Sequence, residues 1–239
     1  MKANILGVYI DRLSMQDTLS RIQQAIEKHN QIRVITANPE LIYKASTDLR
    51  LRRLINTADI VTPDGVGVVW AAKKTGLAVP ERVTGIDLVQ ELFPLAQTYN
   101  WRLFFLGGKP GVAKEAARRV GEQYPGLTIE SEHGYFDISG DVKIVRKIRE
   151  FNPDLLLVGL GAPRQEYWIA DHPDLATVGI GVGGSFDVLA GVALRAPDAV
   201  QKLKLEWLYR LWKEPWRWRR QMVLPKFALK VFFQGKGKR

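Results

Sequence analysis

Apolar residues along the chain follow two patterns that alternate from residue 5 to residue 182. Short runs of consecutive apolar residues, rich in Val, Ile, Leu and Phe, predict strands that are buried on both faces. Stretches in which apolar residues recur every three or four positions predict amphipathic helices. The predicted strands cover residues 5–8, 32–36, 60–62, 103–106, 127–131, 155–159 and 178–182. The predicted helices cover a segment capped by Ser14, residues 41–56 with a division at Asp48, and residues 68–74, 86–99, 112–123, 142–151 and 165–170.

Strands and helices that alternate in this way form a parallel sheet with helices on both faces. The sequence therefore predicts an α/β fold with a Rossmann-like parallel sheet. In such sheets, ligands bind at the edge formed by the carboxyl ends of the strands. The residues that directly follow the predicted strands are accordingly the candidate site residues.

The composition of the chain changes at Arg195. Residues 195–239 hold 13 Lys and Arg against 3 Asp and Glu, a net charge of +10 that equals the net charge of the whole chain. The same segment contains four of the seven tryptophans. We therefore predict an α/β catalytic domain over residues 1–194 and a basic, amphipathic helical appendage over residues 195–239. Positive charge combined with aromatic residues favours an anionic partner, either a membrane surface or a nucleic acid. The alternative is a basic helix pair that packs on the domain, with Lys and Arg stems covering apolar surface.

Composition and spacing exclude several kinds of site. The chain has no cysteine, which excludes disulfides, thiolate nucleophiles and cysteine-bound zinc. The three histidines lie far apart, and no Asp-x-Asp pair occurs to hold a metal–diphosphate complex. No metal site and no cofactor are therefore predicted. The first residues lack the apolar segment of a signal peptide, and no run approaches the ~20 apolar residues of a membrane span, so a cytoplasmic location is expected.

Asp64 lies between the strand predicted at residues 60–62 and the helix predicted at residues 68–74. An aspartate at such a junction either caps the helix by accepting backbone N–H bonds or offers a carboxylate for catalysis at the sheet edge. Both interpretations stand for Asp64 alone. The neighbouring segments favour a site, because residues 36–40 end another apolar run and residues 82–87 open another helix.

Glycine-rich turns follow other predicted strands. Gly107 and Gly108 precede a helix start, where free backbone N–H groups and the helix dipole suit a phosphate, although an ordinary strand–helix turn also uses glycine. Gly161 opens a turn that leads to Arg164 and Gln165. These two side chains suit phosphate or sugar hydroxyl groups, or they are solvated residues of a first helical turn.

Residues 179–184 match the Gly-x-Gly-x-x-Gly pattern of dinucleotide-binding proteins. The match lies in the last strand–helix unit, and no later strand supplies an acid for the ribose, so close packing of a helix on the strand is the favoured use of these glycines. A Rossmann-type oxidoreductase remains an alternative on this pattern alone. A nucleic-acid-binding protein that uses the basic tail is a second alternative, disfavoured because residues 1–194 carry no net charge.

Nine short motifs, in this order, resemble those of one enzyme family. They are Thr36-Ala37-Asn38-Pro39-Glu40, Thr62-Pro63-Asp64-Gly65-Val66-Gly67, Arg82-Val83-Thr84-Gly85-Ile86-Asp87, Phe105-Leu106-Gly107-Gly108, Gly134-Tyr135-Phe136, Gly161-Ala162-Pro163-Arg164-Gln165-Glu166, Gly183-Gly184-Ser185-Phe186-Asp187, Arg195-Ala196-Pro197 and Glu206-Trp207-Leu208-Tyr209-Arg210-Leu211. Together they cover nearly the whole chain and are similar to the motifs of the WecG/TagA/CpsF glycosyltransferases, family 26.

That resemblance implies an inverting, metal-independent enzyme of cell-surface polysaccharide or teichoic acid biosynthesis. It would move a sugar, N-acetylmannosamine or a related hexose, from a UDP-sugar to polyprenyl-diphosphate-linked GlcNAc. By motif, Asp64 is the general base and Thr36 is a catalytic residue beside it. The residues that the resemblance assigns to the substrate pocket are Asn38, Arg82 and Gln165. Gly107, Gly108 and Gly161 are predicted to bind substrate as well, because of their turns after predicted strands.

The resemblance also implies where the enzyme works. Arg210, Arg217 and Arg220 resemble positions that face the active site in the family, and their forked donors suit the diphosphate of the acceptor. The expected location is the inner face of the cell membrane, with the protein held peripherally on anionic lipid by its tail. No nucleic-acid partner is expected, and assembly into a homo-oligomer is left open.

Overall fold

The computed structural model of the protein describes residues 1–197, 200, 206–213, 218 and 222–234. The strands are β1 (Ala3–Ile5), β2 (Val8–Ile10), β3 (Ile32–Ala37), β4 (Ile60–Pro63), β5 (Arg102–Gly107), β6 (Thr128–Glu132), β7 (Leu155–Gly159) and β8 (Val178–Gly181). The helices are α1 (Met15–Glu27), α2 (Pro39–Ala45), α3 (Leu49–Asn56), α4 (Val66–Lys74), α5 (Gly85–Tyr99), α6 (Val112–Gln123), α7 (Ile138–Phe151), α8 (Arg164–Asp171), α9 (Ser185–Leu189), α10 (Glu206–Lys213) and α11 (Val223–Gln234).

A six-stranded sheet in the order β4-β3-β8-β7-β5-β6 forms the centre of the molecule, and every neighbouring pair in it is parallel. Helices α1, α5, α6 and α9 bury one face of this sheet. Helices α2, α3, α4 and α11 cover one half of the other face, and α7 and α8 cover the other half. The predicted α/β fold with helices on both faces of a parallel sheet is thus confirmed.

Polar residues at the predicted positions begin several helices. Ser14 caps α1 with a capping box, because its hydroxyl accepts from the Asp17 backbone N–H while the Asp17 carboxylate accepts from the Ser14 backbone N–H. Asp48 accepts from the Leu51 backbone N–H and separates α2 from α3, as the sequence predicted. These local signals are strong because each satisfies donors that a helix start leaves unpaired.

The first apolar run does not form a strand of the main sheet, so the prediction of one strand at residues 5–8 is wrong. Leu6 and Gly7 have φ angles of 53° and 88°, and they fold the run into an antiparallel hairpin of β1 and β2. Two successive positive φ angles form the tight turn that matches the twist of two paired strands. The hairpin packs against the half of the sheet that carries β4, where the Asp11 carboxylate accepts from the Val61 backbone N–H at 2.9 Å.

Helix α11, at the carboxyl end of the chain, packs against α2, α4 and the hairpin. Phe227 and Val231 are 2% and 0% exposed and lie in the same apolar cluster as the hairpin. The Gln234 side-chain amide accepts from the Leu6 backbone N–H and donates to the Asn4 carbonyl. Part of the predicted appendage therefore contributes to the hydrophobic core. No helix among the described residues has both the length and the apolar character needed to cross a bilayer.

Candidate active site

Asp64 lies at the carboxyl edge of the sheet, directly after β4. Its backbone N–H donates to the Ala37 carbonyl at 3.0 Å, so the ends of β3 and β4 are held side by side. The N-cap of α4 is Gly65, with φ 101° and ψ 151°, so Asp64 precedes the cap position rather than occupying it. This placement removes the simplest capping role for Asp64 and leaves a half-buried carboxylate at the edge where ligands bind.

Thr36 lies near the end of β3, the neighbour of β4 in the sheet, and Asn38 directly follows that strand. Thr36 is buried, and its hydroxyl donates to the Gly181 carbonyl at 2.9 Å. Asn38 caps α2, because its side-chain oxygen accepts from the Leu41 backbone N–H at 2.9 Å. The structure thus brings Thr36, Asn38 and Asp64 together at adjacent strand ends, while each of the first two already makes one hydrogen bond to the protein backbone.

The Arg82 segment runs beside the end of β4. The Val83 backbone N–H donates to the Pro63 carbonyl at 3.0 Å, which places Arg82 next to the Asp64 loop. Arg82 forms an ion pair with Asp87 over 3.7 Å, and Arg195 binds the other oxygen of the same carboxylate. The Asp87 carboxylate therefore lies between two guanidinium groups and holds both near the start of α5. The motifs gave no signal for this pairing, because 108 residues separate Arg195 from Asp87.

Gln165 is only 3% exposed, and both atoms of its side-chain amide bond to the protein. The oxygen accepts from the Gly183 backbone N–H at 3.1 Å, and the nitrogen donates to Glu166 at 2.9 Å. Gln165 also lies against Gly181, where an added Cβ would come within 2.7 Å of the Gln165 nitrogen. The glycines of β8 therefore allow α8 to pack closely on the strand. This confirms the prediction that glycines of the 179–184 pattern serve helix–strand packing. A direct contact of Gln165 with substrate stays a prediction.

The glycine turns lie at the ends of β5 and β7, on the other half of the same edge. A Cβ on Gly107 would approach the Gly159 backbone to 2.5 Å, so glycine is required there by the contact between strands. Gly108 and Gly161 have φ angles of 67° and 80°, values that suit glycine. Backbone geometry thus explains all three residues, and their binding of substrate stays a prediction.

Three helix starts surround the Asp64 half of the edge. Helices α2, α4 and α5 begin at Pro39, Val66 and Gly85, directly after the segments that hold Asn38, Asp64 and Thr84. Helix starts carry partial positive charge, which favours an anionic ligand. The described residues contain no group of three or more His, Asp or Glu placed to hold a metal ion. The arrangement combines one carboxylate with positive backbone ends and a nearby arginine, which is suited to proton abstraction beside an anionic leaving group.

The side chains of the three predicted tail arginines lie outside the part of the chain that the structure describes. Arg217 and Arg220 lie outside the described residues, and so does the side chain of Arg210, although α10 includes its backbone. The described part of the tail exposes large apolar side chains. They are Leu208, Trp212, Trp218, Met222, Leu229, Phe232 and Phe233.

Comparison with known proteins gives one family and one group of relatives over nearly the whole chain. The sequence model of the glycosyl transferase WecG/TagA/CpsF family matches residues 3–239. The chain is 36% identical over 234 residues to the N-acetylglucosaminyldiphosphoundecaprenol N-acetyl-beta-D-mannosaminyltransferase of Staphylococcus aureus strain MW2, covering 96% of this chain and 92% of the relative. The proteins of the same name in strains NCTC 8325 and MRSA252 are 36% and 35% identical over the same shares.

Proposed function

The chain belongs to the WecG/TagA/CpsF glycosyltransferase family, and we propose that it transfers N-acetylmannosamine from a UDP-sugar to polyprenyl-diphosphate-linked GlcNAc. The acceptor and the transferred sugar are those in the names of the Staphylococcus aureus relatives. The structural observation that carries the proposal is the position of Asp64, a carboxylate at the sheet edge that lies outside the cap position of α4. In this proposal the reaction is a step in the synthesis of a cell-surface polymer such as a polysaccharide or teichoic acid.

Asp64 supplies the base in this proposal. The acceptor hydroxyl attacks the anomeric carbon of the sugar while the bond from that carbon to the diphosphate oxygen breaks. Asp64 takes the hydroxyl proton, and the diphosphate leaves with the bonding electrons. The relatives' names specify a beta product, which a single displacement gives from an α-linked donor, so the proposed reaction inverts the anomeric centre.

The leaving diphosphate is stabilised by positive groups in this proposal. The starts of α2, α4 and α5 and the Arg82 guanidinium lie on the Asp64 half of the edge. The end of β5 lies three strand spacings from the end of β3, or roughly 14 Å at about 4.8 Å per spacing. A nucleotide that lies along the turns at Gly107, Gly108 and Gly161 can therefore direct its sugar toward Thr36 and Asp64.

We assign the tail to the membrane and to the acceptor. Trp212 is 72% exposed and Phe233 is 59% exposed, and the tail contributes a net charge of +10. Exposed aromatic side chains beside basic residues are typical of a surface that binds anionic lipid. Arg210, Arg217 and Arg220 would hold the acceptor's diphosphate, and the protein would lie peripherally on the inner face of the membrane.

The proposed function is tested by measuring UDP release from a panel of UDP-sugars in the presence of a lipid-diphosphate-GlcNAc acceptor. We expect UDP-N-acetylmannosamine to give the largest kcat/KM and release without acceptor to be much slower. The product's anomeric configuration, read by nuclear magnetic resonance, should be β. Equal release with and without acceptor, or no acceptor-dependent UDP release from any UDP-sugar of the panel, would contradict the proposal.

The same assay tests the role of metal ions. Helix starts and arginine stabilise the diphosphate in this proposal. An excess of EDTA over the divalent metal in the assay should therefore change kcat/KM by less than about twofold. Loss of activity in EDTA with recovery on adding Mg²⁺ or Mn²⁺ would mean that a metal stabilises the leaving group instead.

Membrane binding is tested by truncating exposed aromatic residues of the tail. The double variant Trp212→Ala/Phe233→Ala should weaken binding to vesicles of phosphatidylcholine with anionic phosphatidylglycerol by about tenfold, because two interface-seeking rings are lost. Val142→Ala is the control, since Val142 is 67% exposed on α7, a helix in a different apolar cluster from the one that holds α11. Co-sedimentation measures both. Unchanged binding of the double variant would exclude this surface as the membrane contact. Tighter binding of the protein to duplex DNA than to vesicles would favour a nucleic acid as the tail's partner.

A further inference from the structure

Glu166 is a buried carboxyl group that the proposed reaction does not use. Only 2% of the residue is exposed, and it lies in the first turn of α8. One carboxyl oxygen accepts from the Gln165 side-chain nitrogen at 2.9 Å. The other oxygen is buried without a hydrogen-bond partner among the described residues. Burying a carboxyl group with one unpaired oxygen costs free energy, so its presence in the core calls for a structural or functional explanation.

The surroundings of Glu166 favour its neutral form. Burial raises the pKa of the Glu166 carboxyl above its ordinary value, against the smaller lowering effects of the Gln165 bond, its own backbone N–H and the Lys44 charge. Lys44, on α2, is itself paired with Glu40 at 3.0 Å, so its charge is partly balanced. A neutral carboxyl can still accept a hydrogen bond from an amide, which is the contact that the structure shows.

The contact with Glu166 fixes the orientation of the Gln165 amide. A backbone N–H can only donate, so the Gln165 atom that faces Gly183 is the amide oxygen. The amide nitrogen must then point the other way, toward an acceptor, and Glu166 is that acceptor. If the acceptor were removed, the buried amide would lose a partner and could rotate its oxygen away from Gly183.

The turn that Gln165 holds lies between the two halves of the sheet edge. The Thr36 hydroxyl binds the Gly181 carbonyl just before this turn, and a Cβ on Gly85 would lie 3.5 Å from Val182. On the other side, a Cβ on Gly159 would come within 2.8 Å of the Gly183 carbonyl. A shift of residues 182–184 would therefore move the end of β3, which holds Thr36, relative to the end of β7, which holds Gly159.

We propose that Glu166 is a positioning residue that acts through the Gln165 amide to hold the turn at Gly183 in place for glycosyl transfer. The proposal rests on the proposed function for its kinetic consequence, but the contact between Gln165 and Gly183 can be measured without any substrate. Glu166 does not touch substrate in this proposal, and its negative charge is not required.

The test compares two substitutions of similar volume at position 166. Glu166→Gln keeps a neutral acceptor for the Gln165 amide, whereas Glu166→Met fills the space without one. We expect Glu166→Gln to keep kcat/KM within about threefold of the unsubstituted protein. Glu166→Met should lower kcat/KM by about tenfold to a hundredfold, chiefly through kcat, because a displaced site loses orientation of the reacting groups.

A double-mutant cycle shows whether the effect passes through Gln165. If it does, Glu166→Met combined with Gln165→Ala should be no slower than Gln165→Ala alone, because the second change removes nothing further. Amide hydrogen exchange supplies the readout that needs no substrate. Exchange of the Gly183 N–H should accelerate by about tenfold in Glu166→Met and stay near the original rate in Glu166→Gln.

Three results would overturn the proposal. They are equal losses of activity in Glu166→Gln and Glu166→Met, additive losses in the double variant, and unchanged Gly183 exchange in Glu166→Met. Glu166→Leu replaces Glu166→Met in the same comparisons if the methionine variant does not fold. Failure of the unsubstituted protein to transfer any sugar would count against the proposed function, while the Gly183 exchange rates would still decide the role of Glu166.

Discussion

Asp64→Asn is expected to fold like the unsubstituted protein and to lose about 10²–10⁴-fold in kcat, the usual contribution of a general base. Asparagine has nearly the same shape and can still accept hydrogen bonds, but it cannot take a proton from the acceptor hydroxyl at neutral pH. The backbone bond from Asp64 to Ala37 does not involve the side chain, so the join between β3 and β4 should persist. UDP release with the lipid-linked acceptor measures kcat, and thermal unfolding checks the fold.

The matched control is the same change at the opposite end of the same strand. Asp59 directly precedes β4, is exposed, and accepts from the Arg33 backbone N–H at 2.8 Å. Asp59→Asn can keep that bond, so it should retain nearly full activity. If Asp64→Asn were as active as Asp59→Asn, the base would have to be another residue, and the side chain of Asp64 would have only a structural role.

Phe227→Ala is expected to lower the free energy of unfolding by about 3–5 kcal/mol, the usual cost of removing a buried phenylalanine. The Phe227 ring lies in the core between α11 and the other helices on its face of the sheet, and one ring carbon is 3.9 Å from the position of a Cβ on Gly67. Because Gly67 is in the first turn of α4, this packing supports the helix that follows the Asp64 loop. Denaturant unfolding measures the change, and the melting temperature should fall by roughly 6–20 °C for a chain of this size.

Phe233→Ala, six positions along the same helix, is the control. Phe233 is 59% exposed, so its truncation should change the free energy of unfolding by less than about 0.5 kcal/mol. Equal destabilisation by the two variants, or none by Phe227→Ala, would mean that α11 does not pack on the α/β core as described. A large difference would instead show that one helix serves the core through one side and solvent or lipid through the other.

This division within α11 changes how the tail should be studied. Phe227 lies in the predicted basic appendage, whose aromatic residues were expected to face an anionic partner, but the structure buries it, so that expectation is wrong for Phe227. Helical spacing explains the difference, since Phe227 and Val231 are four positions apart and share one face, while Leu229 and Phe233 lie on another. Deleting the whole tail would remove part of the core, so point substitutions are the cleaner test of membrane binding. The boundary between residues 194 and 195 stays a prediction.

Much of the fold could be predicted because its signals are local. Ser14, Asp48 and the apolar spacing of α1 act within one or two helical turns, and the buried runs that became β3, β5 and β7 are continuous in sequence. The hairpin of β1 and β2 was missed because its turn uses Leu6, a residue that rarely adopts a positive φ. Composition gave no hint that this single apolar run reverses direction.

The candidate site was predictable in part for the same reason. Thr36, Asn38 and Asp64 follow buried strands, and parallel strands bring such residues to one edge. The burial of Gln165, its bond to Glu166 and the contact of Arg195 with Asp87 were not predictable. Acidic residues in a first helical turn are usually exposed, so nothing in the sequence marked Glu166 as buried.

The sequence by itself determined the alternation of strands and helices, the positions of the caps, the concentration of positive charge in the tail, and the motifs that place the chain in its family. Each of these depends on residues close together along the chain, where hydrophobic periodicity and side-chain hydrogen bonds act. Only the tertiary structure decided the strand order, the orientation of the Gln165 amide, and which tail residues enter the core. These depend on contacts between distant segments, such as α11 with the β1–β2 hairpin, whose free energy appears only when the packed core excludes water from both partners.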